Sequence, residues 1–189
     1  PDQFKDAKYS ADRERSVGLG VMGFHSFLQQ NRIPLESVMA KSWNKKIFKQ
    51  IDDKVNQASK DLAEERGACP DAEEYGFKER FSNKTAIAPT ASISIICGGA
   101  SPGVEPIAAN SYTHKTLSGS FNVRNRYLEE ILDGHGKNDD ETWSTITTNQ
   151  GSVSHLNFLT DLEKDVFKTA FELNQKWIIE LSGDRTPFI

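Results

Sequence analysis

Val21, Phe24 and Leu28 in "GVMGFHSFLQQ" recur at helical spacing, so the first apolar pattern of the chain predicts a helix opened by glycines. "RIPLESVMAKSW" reads as a turn into a short helix with Pro34 near its first position. The clearest helix runs from about Lys45 to Arg66. There Ile47, Ile51, Val55, Ala58 and Leu62 follow one another at steps of four, four, three and four, and Gly67 supplies the stop. "ACPDAEEYGFKERFSN" is a polar connection. "TAIA", residues 85–88, is a short strand of buried type ending at Pro89, "TASISII" continues as a helix or turn, and "CGGASPGVEP" is a loop. "NRYLEEILDGHG" predicts a brief helix ended by Gly134, and "KNDDE" a solvated loop. A last long helix begins at "LTDLEKDVF", where Thr160 and Glu163 have capping-box spacing. Val166, Phe167, Ala170, Phe171, Trp177, Ile178 and Leu181 form its apolar face.

Composition narrows what such a chain can do. With 189 residues it is one ordinary domain or a piece of something larger, and no repeat, low-complexity tract or internal boundary divides it. The whole of 1–189 therefore reads as a single partial domain. A net charge of −4 gives no basic field for nucleic acid or anionic membrane. No apolar run approaches the roughly 20 residues of a membrane span, and the polar start holds no signal-peptide core. Cys69 and Cys97 form neither a disulfide framework nor a zinc pattern, which reads as two reduced thiols in a cytoplasmic protein. His25, His114, His135 and His155 lie far apart, without paired metal-ligand spacing. Trp143 and Trp177 read as core or shelf residues. The chain begins at Pro1 without an initiator Met and stops at "GDRTPFI", so both ends read as cuts.

Gly18, Gly20 and Gly23 match the spacing G-x-G-x-x-G. A dinucleotide-binding loop needs a buried strand before that motif and an acidic residue about 20 positions on, at the end of a second strand. "SADRERSV" is too charged for a central parallel strand, and Glu36 lies in a helical pattern. The glycines instead serve sharp turning and close packing.

A better anion site is "IAPTASISII", 87–96. Pro89 removes one donor, and the small residues Thr90, Ala91 and Ser92 leave their backbone N–H groups accessible. If a helix begins here, its first turn offers up to four unpaired N–H groups and the positive end of the helix dipole, joined by the hydroxyls of Thr90 and Ser92. Composition alone leaves two readings open, this cradle and an ordinary strand followed by an N-capped helix.

"APTASISII", followed by "SPGVEP" and "YTHKTLSGSF", resembles the catalytic chain of ribonucleotide reductases, the aerobic class I type in particular. "RERSVGLGVMGFHSFLQ", "RFSNKTAIAPTAS", "NQGSVSHLNFL" and "VFKTAFELNQKWIIELSGDRTPFI" agree in the same order, so the resemblance covers essentially the whole chain. It implies an α/β fold, a mostly helical segment of the family's ten-stranded α/β barrel, and a share in reducing ribonucleoside diphosphates to deoxyribonucleotides by thiyl-radical chemistry. It also implies that Thr90, Ala91, Ser92 and Ile93 hold the substrate's diphosphate, Ile93 through its backbone alone because it departs from the hydroxyl residue often found there. Glu105, in "GVEP", would orient the loop behind this segment.

The family's radical cysteine with its neighbouring Asn and Glu, its redox cysteine pair and its tyrosine relay match nothing in these 189 residues. No catalytic residue is therefore assigned, and no metal or cofactor is expected on this segment. The resemblance implies as partners the remainder of the large subunit, a radical-generating small subunit with a dimetal centre, and a dithiol reductant. The pattern P-T-x-S-I-S-I-I is shared with adenosylcobalamin-dependent reductases, but "THKTLSGSF" and "NQGSVSHLNFL" favour class I. A non-catalytic natural half of a split reductase and an unrelated nucleotide-binding module are the other readings.

Overall fold

The structure is a computed structural model that describes residues 2–117 and 119–189. Its contacts divide into two compact units. One comprises the residues up to Gly20, Trp43–Ala88 and Ser182–Ile189; the other comprises Val21–Ser42 and Pro89–Leu181.

The first unit is built on α1 (Lys5–Glu14), most of α3 (Val38–Arg66) and α4 (Pro70–Glu74). The polar lead-in of the sequence forms α1, a helix with no buried residue. A helix polar on all sides needs outside support, and Arg13 provides it with ion pairs to Asp71, at 2.5 Å, and to Glu74. Helix α3 extends further toward its N-terminus than its apolar pattern predicts: the turn at "RIPLES" ends with the Ser37 hydroxyl accepting the Ala40 N–H, and the helix starts at once. Its fully buried positions are Ala40, Asn44, Phe48, Ser59 and Ala63, while Ile47, Ile51, Val55 and Leu62 are half-buried and Ala58 is exposed. The reason is Ser59, whose hydroxyl accepts the N–H groups of Arg80 and Phe81 at 3.1 and 3.4 Å and so draws its own side of the helix inward. Ile47, Ile51 and Val55, with Leu19, line an open apolar hollow instead.

"TAIA" does not become a full strand. Extended backbone at 17–20 runs parallel to 83–86 through Val17 N–H to Asn83 O, Leu19 N–H to Lys84 O and Ala86 N–H to Leu19 O, all at 2.9–3.1 Å, with one bridge between Leu19 and Thr85. Gly18 and Gly20 permit this approach. A Cβ on Gly20 would sit 2.7 Å from the Ala86 carbonyl oxygen.

The second unit contains α2 (Phe24–Gln30), α5 (Ala91–Ile96), a hairpin of β1 (Ser111–Thr116) and β2 (Gly119–Arg124), α6 (Arg126–Gly134), α7 (Asp140–Thr148), α8 (Asp161–Val166) and most of α9 (Gln175–Arg185). The strands pair antiparallel with Ser111 opposite Arg124 and Thr116 opposite Gly119. Leu128, Ile131, Leu132, Trp143, Ile146, Val153, Leu156, Leu159, Val166 and Phe167 form the core. "KNDDE" is the entry to α7 rather than a free loop, because Asp139 accepts the Thr142 N–H at 2.7 Å and the acidic first turn complements the helix dipole.

The last long helix of the sequence pattern is two helices. From Phe167 to Asn174 the backbone is diverted: Asn110 donates to Phe167 O, Ala170 N–H donates to Ile107 O, and the Glu172 carboxylate accepts both the N–H and the hydroxyl of Thr169. Local side-chain bonds of this kind compete with a helical ladder. Phe171, read as apolar face, is 85% exposed. The capping box that opens α8 is complete, with Thr160 Oγ1 accepting the Glu163 N–H and Glu163 Oε2 accepting the Thr160 N–H. Thr160→Ala should lower stability by about 1 kcal/mol, read as a lower urea midpoint at unchanged slope. A midpoint equal to that of the parent chain would mean the box contributes nothing.

Candidate functional site

Residues 89–107, all within the second unit, form the site. Thr90 is the N-cap of α5 and lies in the left-handed region, at φ 51° and ψ 25°. A β-branched residue there is strained and must be held by its surroundings. The holding contact is visible: Thr90 Oγ1 accepts the N–H of Gly103 at 2.7 Å. Its hydroxyl hydrogen remains available to donate. The first intrahelical bond of α5 runs from Ser94 N–H to Thr90 O at 2.9 Å, so the N–H groups of Ala91, Ser92 and Ile93 precede the ladder. The side chains of Ala91, Ser92 and Ile93 are exposed. Ser94 is buried and turns its hydroxyl back to Ala91 O at 2.9 Å, tightening the turn.

Behind this turn the 101–107 loop is fixed by α2. Gly23 N–H donates to Ser101 O at 2.9 Å, and Phe24 N–H to Gly103 O at 3.4 Å. Ser26 and Ser101 exchange two bonds, each backbone N–H donating to the other's hydroxyl at 3.1 and 2.8 Å. These contacts also decide the glycine motif. Gly23, Phe24 and Ser26 are the donors a pyrophosphate would need, and the protein's own loop uses them. Glu105, expected to orient the loop, is exposed, and its carboxylate makes no hydrogen bond or ion pair among the described residues. Ser26 and Thr90 hold that loop instead.

A half-open, mostly apolar cavity of about 700 Å³ adjoins α5; Ala91, Ser94 and Ile95 form one wall, and Tyr112, Arg124 and Phe171 stand among the others. Asn110 and Asn125 also reach its lining and belong to a buried polar network. Asn110 Nδ2 donates to Gly151 O and Phe167 O at 2.9 and 2.7 Å. Asn125 Nδ2 donates to Gln29 Oε1 and Asn110 Oδ1 at 2.9 and 2.8 Å, and its Oδ1 caps α6 by accepting the Tyr127 N–H. None of these residues stood out in the sequence. Apart from the cap Asn125 makes on α6, the bonds of this network join residues 15 or more positions apart, which local spacing does not mark.

The remaining candidates stay apart. Cys69 is buried at the N-cap of α4, and Cys97 is exposed at the C-cap of α5. His135 contacts Glu163 at 3.1 Å, His155 contacts Thr145 at 3.0 Å, and His114 stands opposite Phe121 in the hairpin. Among the described residues no three His, Cys, Asp or Glu side chains gather as a metal site, and no helix is long and apolar enough to cross a membrane. Trp143 is a core residue whose Nε1 donates to Asn138 at 2.7 Å; Trp177 is half-buried beneath the Lys41 ammonium.

Comparison with known proteins follows this geometry. Residues 2–79 and 71–189 match the ribonucleotide reductase barrel domain. The chain is 48% identical over its whole length to the ribonucleoside-diphosphate reductase large subunit of Invertebrate iridescent virus 6, covering 20% of that protein. It is 44% identical over its whole length to the large subunit of Invertebrate iridescent virus 3, covering 30%. Among solved structures, the class Id ribonucleotide reductase alpha subunit of Actinobacillus ureae superposes on 95% of this chain with a TM-score of 0.85 and 40% identity, and the match covers 32% of that subunit. The chain thus spans between a fifth and a third of these relatives' lengths. Its helices, its hairpin and the order of its motifs fit a segment of an α/β barrel, and the chain belongs to the ribonucleotide reductase barrel-domain family.

Proposed function

We propose that residues 1–189 serve as one part of the catalytic barrel of a class I ribonucleoside-diphosphate reductase large subunit, and that this part grips the diphosphate of the substrate. The observation that carries the reading is the start of α5. Three successive N–H groups, of Ala91, Ser92 and Ile93, stand ahead of the helical ladder, flanked by the free hydroxyl hydrogens of Thr90 and Ser92. Such donors suit a phosphate without lysine, because each meets a lone pair and the helix end adds favourable field. Ile93 contributes its backbone only.

Binding energy from the non-reacting diphosphate would position the ribose for chemistry performed elsewhere in the subunit. The thiyl radical, the reducing dithiol, the small subunit with its dimetal centre and the cytoplasmic setting belong to that complete enzyme. The class Id relative at 40% identity favours class I over the adenosylcobalamin-dependent alternative.

Ser92→Asp in the complete large subunit tests the loop. A carboxylate against the diphosphate should weaken apparent substrate affinity at least about tenfold, since like charges brought together cost several kcal/mol. Ser92→Ala should have a much smaller effect. Unchanged affinity in Ser92→Asp would remove the loop from the substrate site.

A further inference from the structure

His25 occupies the first turn of α2 and is 1% exposed, yet the functional reading above gives it no part. Its Nδ1 accepts the Ile107 N–H at 2.9 Å, a bond between residues 82 positions apart. An imidazole that accepts at Nδ1 carries its proton at Nε2. Nε2 is buried and has no hydrogen-bond partner among the described residues. Burial pushes the ring's pKa down to about 4, so the accepting lone pair is present throughout the neutral range. A leucine would fill similar space without leaving a buried N–H unpartnered, which is a cost the imidazole carries. What the imidazole supplies that leucine does not is the acceptor for Ile107.

That acceptor stands at a junction. Ile107 presents its N–H to His25 and its carbonyl to the Ala170 N–H at 2.8 Å. Six residues earlier, Ser101 is fixed by its paired bonds with Ser26. Between these two pins, Gly103 donates to Thr90 and so reaches the strained residue that opens α5. Without the His25 bond, Ile107 keeps among the described residues only the bond its carbonyl takes from Ala170, and besides Thr90 only the long 3.4 Å bond from Phe24 N–H holds Gly103, so the loop between the two pins loosens.

We propose that His25 is a positioning residue: through its Nδ1 it fixes the 101–107 loop, and through Gly103 it sets Thr90 and the N–H groups that follow. The effect on the loop stands on geometry alone; the effect on ligand binding rests on the diphosphate reading.

The test uses the whole chain with His25→Leu, which removes the acceptor, and His25→Asn, whose Oδ1 takes the place of Nδ1. His25→Gln places its acceptor at the Nε2 position, so it can stand in for the leucine variant should that one fail to fold. Amide hydrogen exchange by NMR reads the loop, and a ³¹P titration with inorganic pyrophosphate reads binding. In His25→Leu the Ile107 and Gly103 amides should exchange at least about tenfold faster while Leu132 and Trp143 in the core keep their rates. Pyrophosphate affinity should fall by a similar factor, and His25→Asn should restore both. Unchanged Ile107 protection in His25→Leu would overturn the proposal. So would equal loss in His25→Asn, or loss spread over the core amides, because either marks a packing role without the acceptor. A parent chain that binds no pyrophosphate while the exchange pattern holds would overturn the diphosphate reading and leave His25 as the positioning residue of the loop.

Discussion

Replacing Gly151 with alanine should destabilise the chain by about 3–5 kcal/mol, the largest loss expected from any single methyl group added here. Two causes add. Gly151 has φ +81°, a conformation that costs an L-residue about 1–2 kcal/mol. The new Cβ would also lie 2.6 Å from Ala109 Cα and 2.8 Å from Asn110 N, and it would collide with Ala109 Cβ. Backbone atoms cannot rotate away, so the strand entry at Asn110 must shift as a whole. Gly136→Ala is the control. It has a similar φ of +63° with nothing within 4 Å of its Cβ, and should cost only the conformational part, about 1 kcal/mol. Urea unfolding followed by tryptophan emission compares the two. If Gly151→Ala falls within 1 kcal/mol of Gly136→Ala, the close approach of 109–110 to 151 is wrong.

Asn110→Ala should cost about 2–4 kcal/mol through a different mechanism. Its side chain is 1% exposed and every polar position on it is used: both Nδ2 hydrogens go to the carbonyls of Gly151 and Phe167, and Oδ1 takes one from Asn125. Alanine leaves buried groups on three separate segments short of a partner. Gly151 O keeps the Asn110 backbone N–H at 3.1 Å, but Phe167 O loses the bond that ends α8. The double variant Asn110→Ala with Asn125→Ala should therefore lose less than the sum of the two single changes, since removing both partners of one bond spares an orphan. Strict additivity in urea unfolding would show that the two asparagines do not share a network.

Much of the helical content was legible in the pattern of apolar residues, because amphipathic spacing, caps and stops are local. Thr160 with Glu163 and Gly67 work within one turn of their own position and act where their spacing placed them, whereas Gly134 is the last residue inside α6 and the left-handed glycine after it is Gly136. The stretch after Pro89 read as a helix or turn, and the structure makes it the short helix α5. The errors share a cause as well. The break between α8 and α9 depends on Asn110, Ile107 and a Glu172 that turns back to Thr169, and apolar spacing cannot register bonds that come from elsewhere. The buried stripe of α3 passes through Asn44 and Ser59 because polar residues with partners can be hidden as completely as apolar ones. The helices α1 and α7 were missed because charge and β-branched residues masked them, and an ion-pair clip and an Asp cap support them in place of a strong propensity.

The sequence by itself determined the family and the principal helices, because motif order and periodicity are local properties of the chain, and the small residues after Pro89 marked the candidate anion segment. It also carried enough to reject the glycine motif as a dinucleotide loop. Only the tertiary structure decided why that rejection holds: the donors of Gly23, Phe24 and Ser26 are consumed by Ser101 and Gly103. Only the tertiary structure joined His25 to Ile107 and Gly103 to Thr90, and so gave a buried histidine and a strained threonine a common purpose. The physical reason is range. A cap or an apolar stripe is complete within a few residues, whereas a hydrogen bond across 82 positions exists only once the intervening chain has folded and brought its two ends together.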